Sequence, residues 1–304
     1  MLIFATSDKG GTGRSVTSIN IAYRRALMGS DVCYLDFDFG SPTAGAIFDI
    51  EGVGQGTKAG GLHSYFYGET AEPLRLDVWK ETDRPSLRDR PPAAGRLVLL
   101  PGDNGGGEFP CDSTKVRACI QLLLQLESEF DVTFIDLSAG RSYATQMVLT
   151  AIADARMRKV ASRWLVFHRW TKQHIGAAAN LAYGDKGLIQ MGVAVGLSEE
   201  DMYNAIRFVR TAVVDPGGAE LAGLSAEQVT WLRSWNRRLY DLAKNLDLGR
   251  TRAFGEVPLE PVLQWREQLI ADDDVLNRMI ANPRTTAAFS DLAHRLTDDV
   301  RETP

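Results

Sequence analysis

The chain has 304 residues, 44% of them hydrophobic and 24% charged, the balance of a globular protein able to bury a substantial core. Its net charge of −5 gives no general attraction to nucleic acid or to an anionic membrane, so any such partner must be met locally. Cys33, Cys111 and Cys119 are odd in number and lack metal-ligand spacing, which predicts reduced thiols and no zinc.

The N-terminus enters the apolar run Leu2-Ile3-Phe4-Ala5 at once, without a basic leader. No later segment approaches the roughly 20 apolar residues of a membrane span, so a cytoplasmic location is expected. The first strand, about 2–8, runs into Lys9-Gly10-Gly11-Thr12-Gly13-Arg14-Ser15. A helix over about 15–28 follows, with Val16, Ile19, Ala22, Tyr23 and Ala26 at helical spacing and a stop at Gly29. Glycines let the backbone turn its N–H groups inward, and the helix adds the positive end of its dipole. The pair predicts a phosphate cradle whose natural guest is a nucleoside triphosphate. In the usual phosphate loop a Lys precedes Ser/Thr, the Lys reaching the outer phosphates and the hydroxyl binding Mg2+. Here Ser15 is in place, but Arg14 stands at the Lys position. A broad planar fork replaces a compact ammonium, so binding is expected and hydrolysis is expected to be weakened.

A second strand, about 32–38, ends in two carboxylates one residue apart, Asp36 and Asp38, followed by Phe39-Gly40-Ser41-Pro42. Residues 52–61 and 102–107 are glycine-rich and read as surface connections around a third strand at about 96–101. A fourth strand, 132–137, carries Asp136 near its C-terminal end and leads into Ser138-Ala139-Gly140. Further strands are expected at about 163–169, followed by Arg169, Lys172 and His174, then at 191–197 and 252–257. Strands alternating with helices predict an α/β fold: a doubly wound, mostly parallel sheet flanked by helices, in a single domain over 1–304.

Residues 198–250 read as a largely helical insert. Within it Trp231, Trp235, Leu239, Leu242 and Leu246 recur at steps of three and four, an amphipathic helix. Over 231–252, six basic residues (Arg233, Arg237, Arg238, Lys244, Arg250, Arg252) face two acidic ones, Asp241 and Asp247. A helical acidic region is expected at about 260–304; from 264 onward it has a net charge of −3, with Asp272-Asp273-Asp274 and Asp298-Asp299 prominent. Such an ending disfavours DNA and lacks the lysine-rich apolar stripe that would lay it on a membrane.

The loop Lys9 to Ser15, followed in order by the Asp36/Asp38 strand end and by Asp136, resembles the deviant Walker A motif set of the ParA/MinD family of P-loop ATPases. That family belongs to the wider SIMIBI class. The arginine form of the loop is also similar to a group of actinobacterial variant P-loop proteins. The resemblance implies that Lys9, Gly10, Gly11, Thr12, Gly13, Arg14, Ser15 and Val16 hold ATP, with Lys9 reaching a second protomer's nucleotide in a dimer closed by ATP. It further implies that Ser15, Asp36 and Asp136 manage Mg2+, partly through water. Asp38 would orient or deprotonate the attacking water, and the Gly140 backbone would sense the γ-phosphate. Phe254-Gly255-Glu256-Val257-Pro258 resembles the family's Leu-Gly-x-Ile-Pro strand, which puts Pro258 beside the base. Two departures stand out: Phe39 replaces the family's Pro, and Val193 to Ser198 lacks the Asn-containing base motif, leaving adenine and guanine both open. The leading expectation is a dimerising ATP switch of ParA/MinD type that engages an unidentified partner protein, with slow hydrolysis catalysed by Lys9 and Asp38. A non-hydrolysing nucleotide-binding scaffold and a DNA-segregation ATPase are the alternatives.

Overall fold

The computed structural model describes residues 1–88, 90–215, 217–218, 221 and 223–298. Eight strands form one sheet: β1 (Leu2–Thr6), β2 (Val32–Phe37), β3 (Leu76–Asp77), β4 (Leu97–Leu100), β5 (Val132–Leu137), β6 (Ser162–Arg169), β7 (Ile206–Val213) and β8 (Ala253–Pro258). Their order is β3-β4-β2-β5-β1-β6-β7-β8, and every pairing is parallel except β3 with β4. The chain leaves β1 toward β2 on one side and later returns to β6 on the other, so the order reverses at β1. In open parallel sheets the ligand crevice lies at such a point, outside the C-terminal strand ends. The loop after β1 therefore sits where a ligand is expected.

Both faces of the sheet are covered, which explains why the central strands read as continuous apolar runs. Leu2 and Phe4 of β1 join Leu35, Ile135 and Trp164 in one core, beneath helices Ser113–Glu129 and Tyr143–Ile152. Ile3 and Ala5 point the other way, joining Tyr34, Phe134 and Phe167 beneath α1 (Arg14–Leu27) and helix Pro283–Asp298. The cysteines are free thiols, and burial pushes those of Cys33 and Cys119 well above the usual range.

One expected strand is misplaced. Residues 191–197 do not join the sheet; most of them complete helix Leu188–Ala194, where Gly192 packs so closely on Met202 that a Cβ would lie 2.9 Å from its Cγ. The sheet position belongs instead to β7, inside the stretch read as an insert. Its sequence, Ile206-Arg207-Phe208-Val209-Arg210-Thr211-Ala212-Val213, hides a buried strand behind two arginines. Arg210 is buried because its guanidinium stacks 4.5 Å from the Trp170 ring and 5.2 Å from Tyr240, with Nη2 donating to Leu248 O at 3.1 Å. Cation–π stacking and a hydrogen bond replace the water this charge would otherwise need.

The two glycine-rich connections also meet. Thr57 N donates to Gly102 O at 2.8 Å and Asn104 N to Thr57 O at 2.7 Å, while Asp103 accepts from Gly61 N at 3.0 Å and Ser64 N at 2.9 Å. The acidic C-terminal cluster is partly neutralised: Asp272 pairs with Arg24, and the fully buried Asp274 pairs with Arg84 and accepts from Ala271 N at 2.9 Å. Asp298 ends the described part of its helix, and Asp299 with the rest of the expected acidic tail lies outside the described residues.

Candidate nucleotide site

β1 carries its chain straight into the glycine loop, and α1 begins at Arg14 with Gly13 as its first flanking residue. Gly11 (φ 69°) and Gly13 (φ 75°) both take the left-handed backbone that a side chain resists, and this turns the loop around its own amides. Tertiary bonds fix the turn. Thr211 Oγ1 of β7 donates to Thr12 O at 2.5 Å, Ser7 Oγ to Lys9 O at 3.0 Å, and Gly140 N to Ser7 O at 2.7 Å. Asp8 pairs with Arg141 at 3.1 Å.

Two pockets open along the loop. The first, about 230 Å³, is lined by Ser7, Gly10, Gly11, Thr12, Gly13, Arg14, Ser15, Val16, Asp38, Ser41, Thr43, Ala139 and Glu267. The second, about 210 Å³, lies on the other side of Gly11, Thr12, Gly13 and Val16, against Arg169, Thr211, Ala212, Val257, Pro258, Gln264 and Glu267. A loop shared by two chambers suits an elongated ligand with an anionic end and a flatter one.

Arg14 dominates the first chamber. Its guanidinium is buried and donates from Nε to Asp136 Oδ1 at 2.5 Å, and from Nη2 to Asp38 Oδ2 at 2.9 Å and Ser15 Oγ at 3.2 Å. Burial alone would weaken its charge, but Asp136 and Asp38 outweigh that and raise its pKa above the ordinary arginine value. The second oxygen of Asp136 accepts from Tyr34 Oη at 2.8 Å, and Ser18 Oγ stands 2.8 Å from the same phenol oxygen. Asp36 lies deeper, accepting from Ala44 N at 2.9 Å; burial and then the nearby Asp136 charge lift its carboxyl to about 8. At neutral pH Asp36 is therefore largely protonated, and Arg14 is shared between two carboxylates.

The groups that the resemblance assigns to Mg2+ do not fit the ion in this arrangement. A magnesium site needs hard oxygens with free lone pairs at close octahedral spacing. Ser15 and Asp136 are instead hydrogen-bonded to Arg14, and Asp36 accepts from the Ala44 backbone amide.

The structure brings Gly10, Gly11, Thr12, Gly13, Arg14, Ser15, Val16 and Asp38 to the first chamber and Pro258 to the second. Asp136 stands behind Arg14, Gly140 has its amide on Ser7, and Lys9 is exposed beside the loop rather than lining either pocket. Sequence reasoning missed Thr211, Ala212, Gln264 and Glu267. A register shift between Arg210 and Val213 bulges β7 there, and Ala212 is held at φ 51°, a strained conformation that marks the pocket rim. Only the pairing of β7 with β8 could have pointed to it. The buried His63 bridges Asp103 N (2.9 Å to Nδ1) and Phe39 O (3.1 Å to Nε2).

An eight-stranded, mostly parallel sheet with a glycine loop at its switch point defines the P-loop NTPase fold of the MinD/ParA kind. No family model matches the chain. Among curated proteins it is 24% identical over 142 residues to the septum site-determining protein MinD of Synechocystis sp., a match spanning 46% of this chain and 45% of that protein. The matched stretch is thus under half the length of the curated relative. Among solved structures, the MinC:MinD cell division protein complex of Aquifex aeolicus aligns with TM-score 0.61 at 18% identity, over 97% of this chain and 94% of that one. MinD of Pyrococcus horikoshii complexed with Mg-ADP aligns at 0.56 and 13% identity, over 98% and 96%. The pNOB8 ParA bound to nonspecific DNA aligns at 0.57 and 16% identity, over 100% and 99%. Within this chain, the acidic cluster expected to repel phosphates is partly paired internally, Asp272 with Arg24 and Asp274 with Arg84, which takes away the ground for disfavouring DNA.

Proposed function

We propose that this chain is an ATP-binding switch of ParA/MinD type that closes on a second copy of itself and then engages a partner protein in the cytoplasm. The observation carrying this reading is the pair of chambers on either side of Gly11–Gly13 at the C-terminal edge of the sheet, in a fold shared with MinD and ParA. The phosphates lie against the loop amides and the N-terminus of α1, and the base lies toward Pro258, Thr211 and Gln264. Lys9, exposed and outside the pockets of its own chain, is free to reach a facing protomer. Hydrolysis is slow, because Asp38, the group that would orient water, is held by Arg14. One structural neighbour is a MinC:MinD complex, which supports a partner protein, and no described helix is long and apolar enough to cross a membrane.

Calorimetric titration with ATP and light scattering of the eluted protein test the reading together. ATP is expected to bind and to shift monomer to dimer; Lys9→Ala is expected to keep binding and lose the dimer, and Asp38→Ala to lose residual phosphate release. Absence of heat with every purine triphosphate would overturn the reading.

A specific observation favours DNA as a second reading. On helix Ala226–Asn245, Arg233, Arg237, Arg238 and Lys244 are exposed, with Arg250 just beyond, whereas Arg252 is buried over the Tyr203 ring. Retention of the ATP form on nonspecific duplex, falling steeply with salt and weakened by Arg237→Glu, is its expected signature.

A further inference from the structure

We propose that Arg14 is the resident counter-cation of the phosphate chamber, so that this chain binds its nucleotide without a divalent metal. The proposal rests on the ATP-site reading above and concerns what neutralises the charge there. Four observations carry it. The Arg14 guanidinium occupies the point where the acids converge, bonded at once to Asp136, Asp38 and Ser15. Asp136 is satisfied on both oxygens by groups of the chain itself, Arg14 on one and the Tyr34 hydroxyl on the other. Arg14 also lines the chamber formed by the loop amides. Its Nε and Nη2 are taken by these bonds, while Nη1 makes no hydrogen bond to a described residue, leaving a charged donor for a phosphate oxygen.

The chemistry of the substitution agrees. A lysine ammonium is one compact charge and cannot span two carboxylates and a hydroxyl in a fixed plane, whereas the guanidinium fork can, and its charge is permanent. With Lys at this position, the acids would be left to gather a metal. With Arg, they hold a cation that is part of the chain and that a polyphosphate meets in place.

Calorimetry on the full chain stripped with EDTA is the test, using ATP alone as probe in excess EDTA and again in excess MgCl2. The two dissociation constants are expected to agree within about threefold, and Arg14→Lys is expected to make binding depend on Mg2+ by about tenfold or more. A tenfold or greater loss of wild-type affinity in EDTA overturns the proposal and leaves the ATP-site reading standing; no binding in either condition overturns both. Should Arg14→Lys fail to fold, electron paramagnetic resonance of Mn2+ with ATP and wild-type protein decides. A spectrum unchanged by protein supports the proposal, and a protein-bound Mn2+ signal overturns it.

Discussion

At Arg14, one side chain sets the character of the site. Its bonds to Asp38 and Asp136 neutralise acids that would otherwise repel one another in a buried space, so Arg14→Ala is expected to destabilise the fold by about 3–5 kcal/mol, as read by urea unfolding. Gly13→Ala, forced to keep φ near 75°, is expected to cost about 1–2 kcal/mol and to weaken ATP binding with it. Ala212→Gly should do the reverse at the rim of the second pocket, raising stability by up to about 1 kcal/mol in the same assay. The loop, Asp36, Asp38 and Asp136 were legible in the sequence, because each is announced by its neighbours: glycines after an apolar strand, or an acid at a strand end. What Arg14 does there was not legible, since its main partner is 122 residues away and only the β1–β5–β2 pairing brings them together.

Among the elements, β7 and the helix after it show why pattern reading fails and succeeds. Arg207 and Arg210 break the apolar signature of β7, and the rings that shelter Arg210 come from residues 170 and 240, beyond any local window. A run such as Val193-Ala194-Val195 looks more like a strand, yet it packs as helix and turn on the residues just after it. The helix at 226–245 needed no such help, because its three- and four-residue spacing states its apolar face directly. That face is narrow: Leu239 and Ala243 are buried, whereas Trp231 is 61% exposed and stacks on Trp235. Leu239→Ala is accordingly expected to cost about 2–5 kcal/mol, and Trp231→Ala less than about 0.5 kcal/mol, both by denaturant midpoint.

For the whole molecule, two buried groups give stability a pH dependence of opposite sign. His168, enclosed near Trp170 and Phe208, is pushed by burial down to about 4, so the folded chain keeps it neutral while the unfolded chain protonates it near 6.5. Its contribution is present above 6.5 and lost as pH falls toward 4, by about 3 kcal/mol in all. Asp36 acts in the other direction: lifted to about 8, it stabilises most when protonated below its ordinary value near 3.8, and that contribution is lost as pH rises through 8. The difference in unfolding free energy between wild type and His168→Gln should therefore rise between pH 4 and 6.5, and that between wild type and Asp36→Asn should fall toward pH 8. Flat differences would show that these groups do not titrate as buried.

The amino-acid order alone determined the doubly wound sheet, the glycine loop and the acids at the strand tips, because each depends on spacing within a dozen residues. Tertiary structure decided which strand completes the second pocket, how the two glycine-rich connections brace each other, and which cation the acids hold. Those outcomes depend on residues distant in the chain sharing one buried volume, where the energy of a charge is set by its neighbours rather than by its place in the sequence.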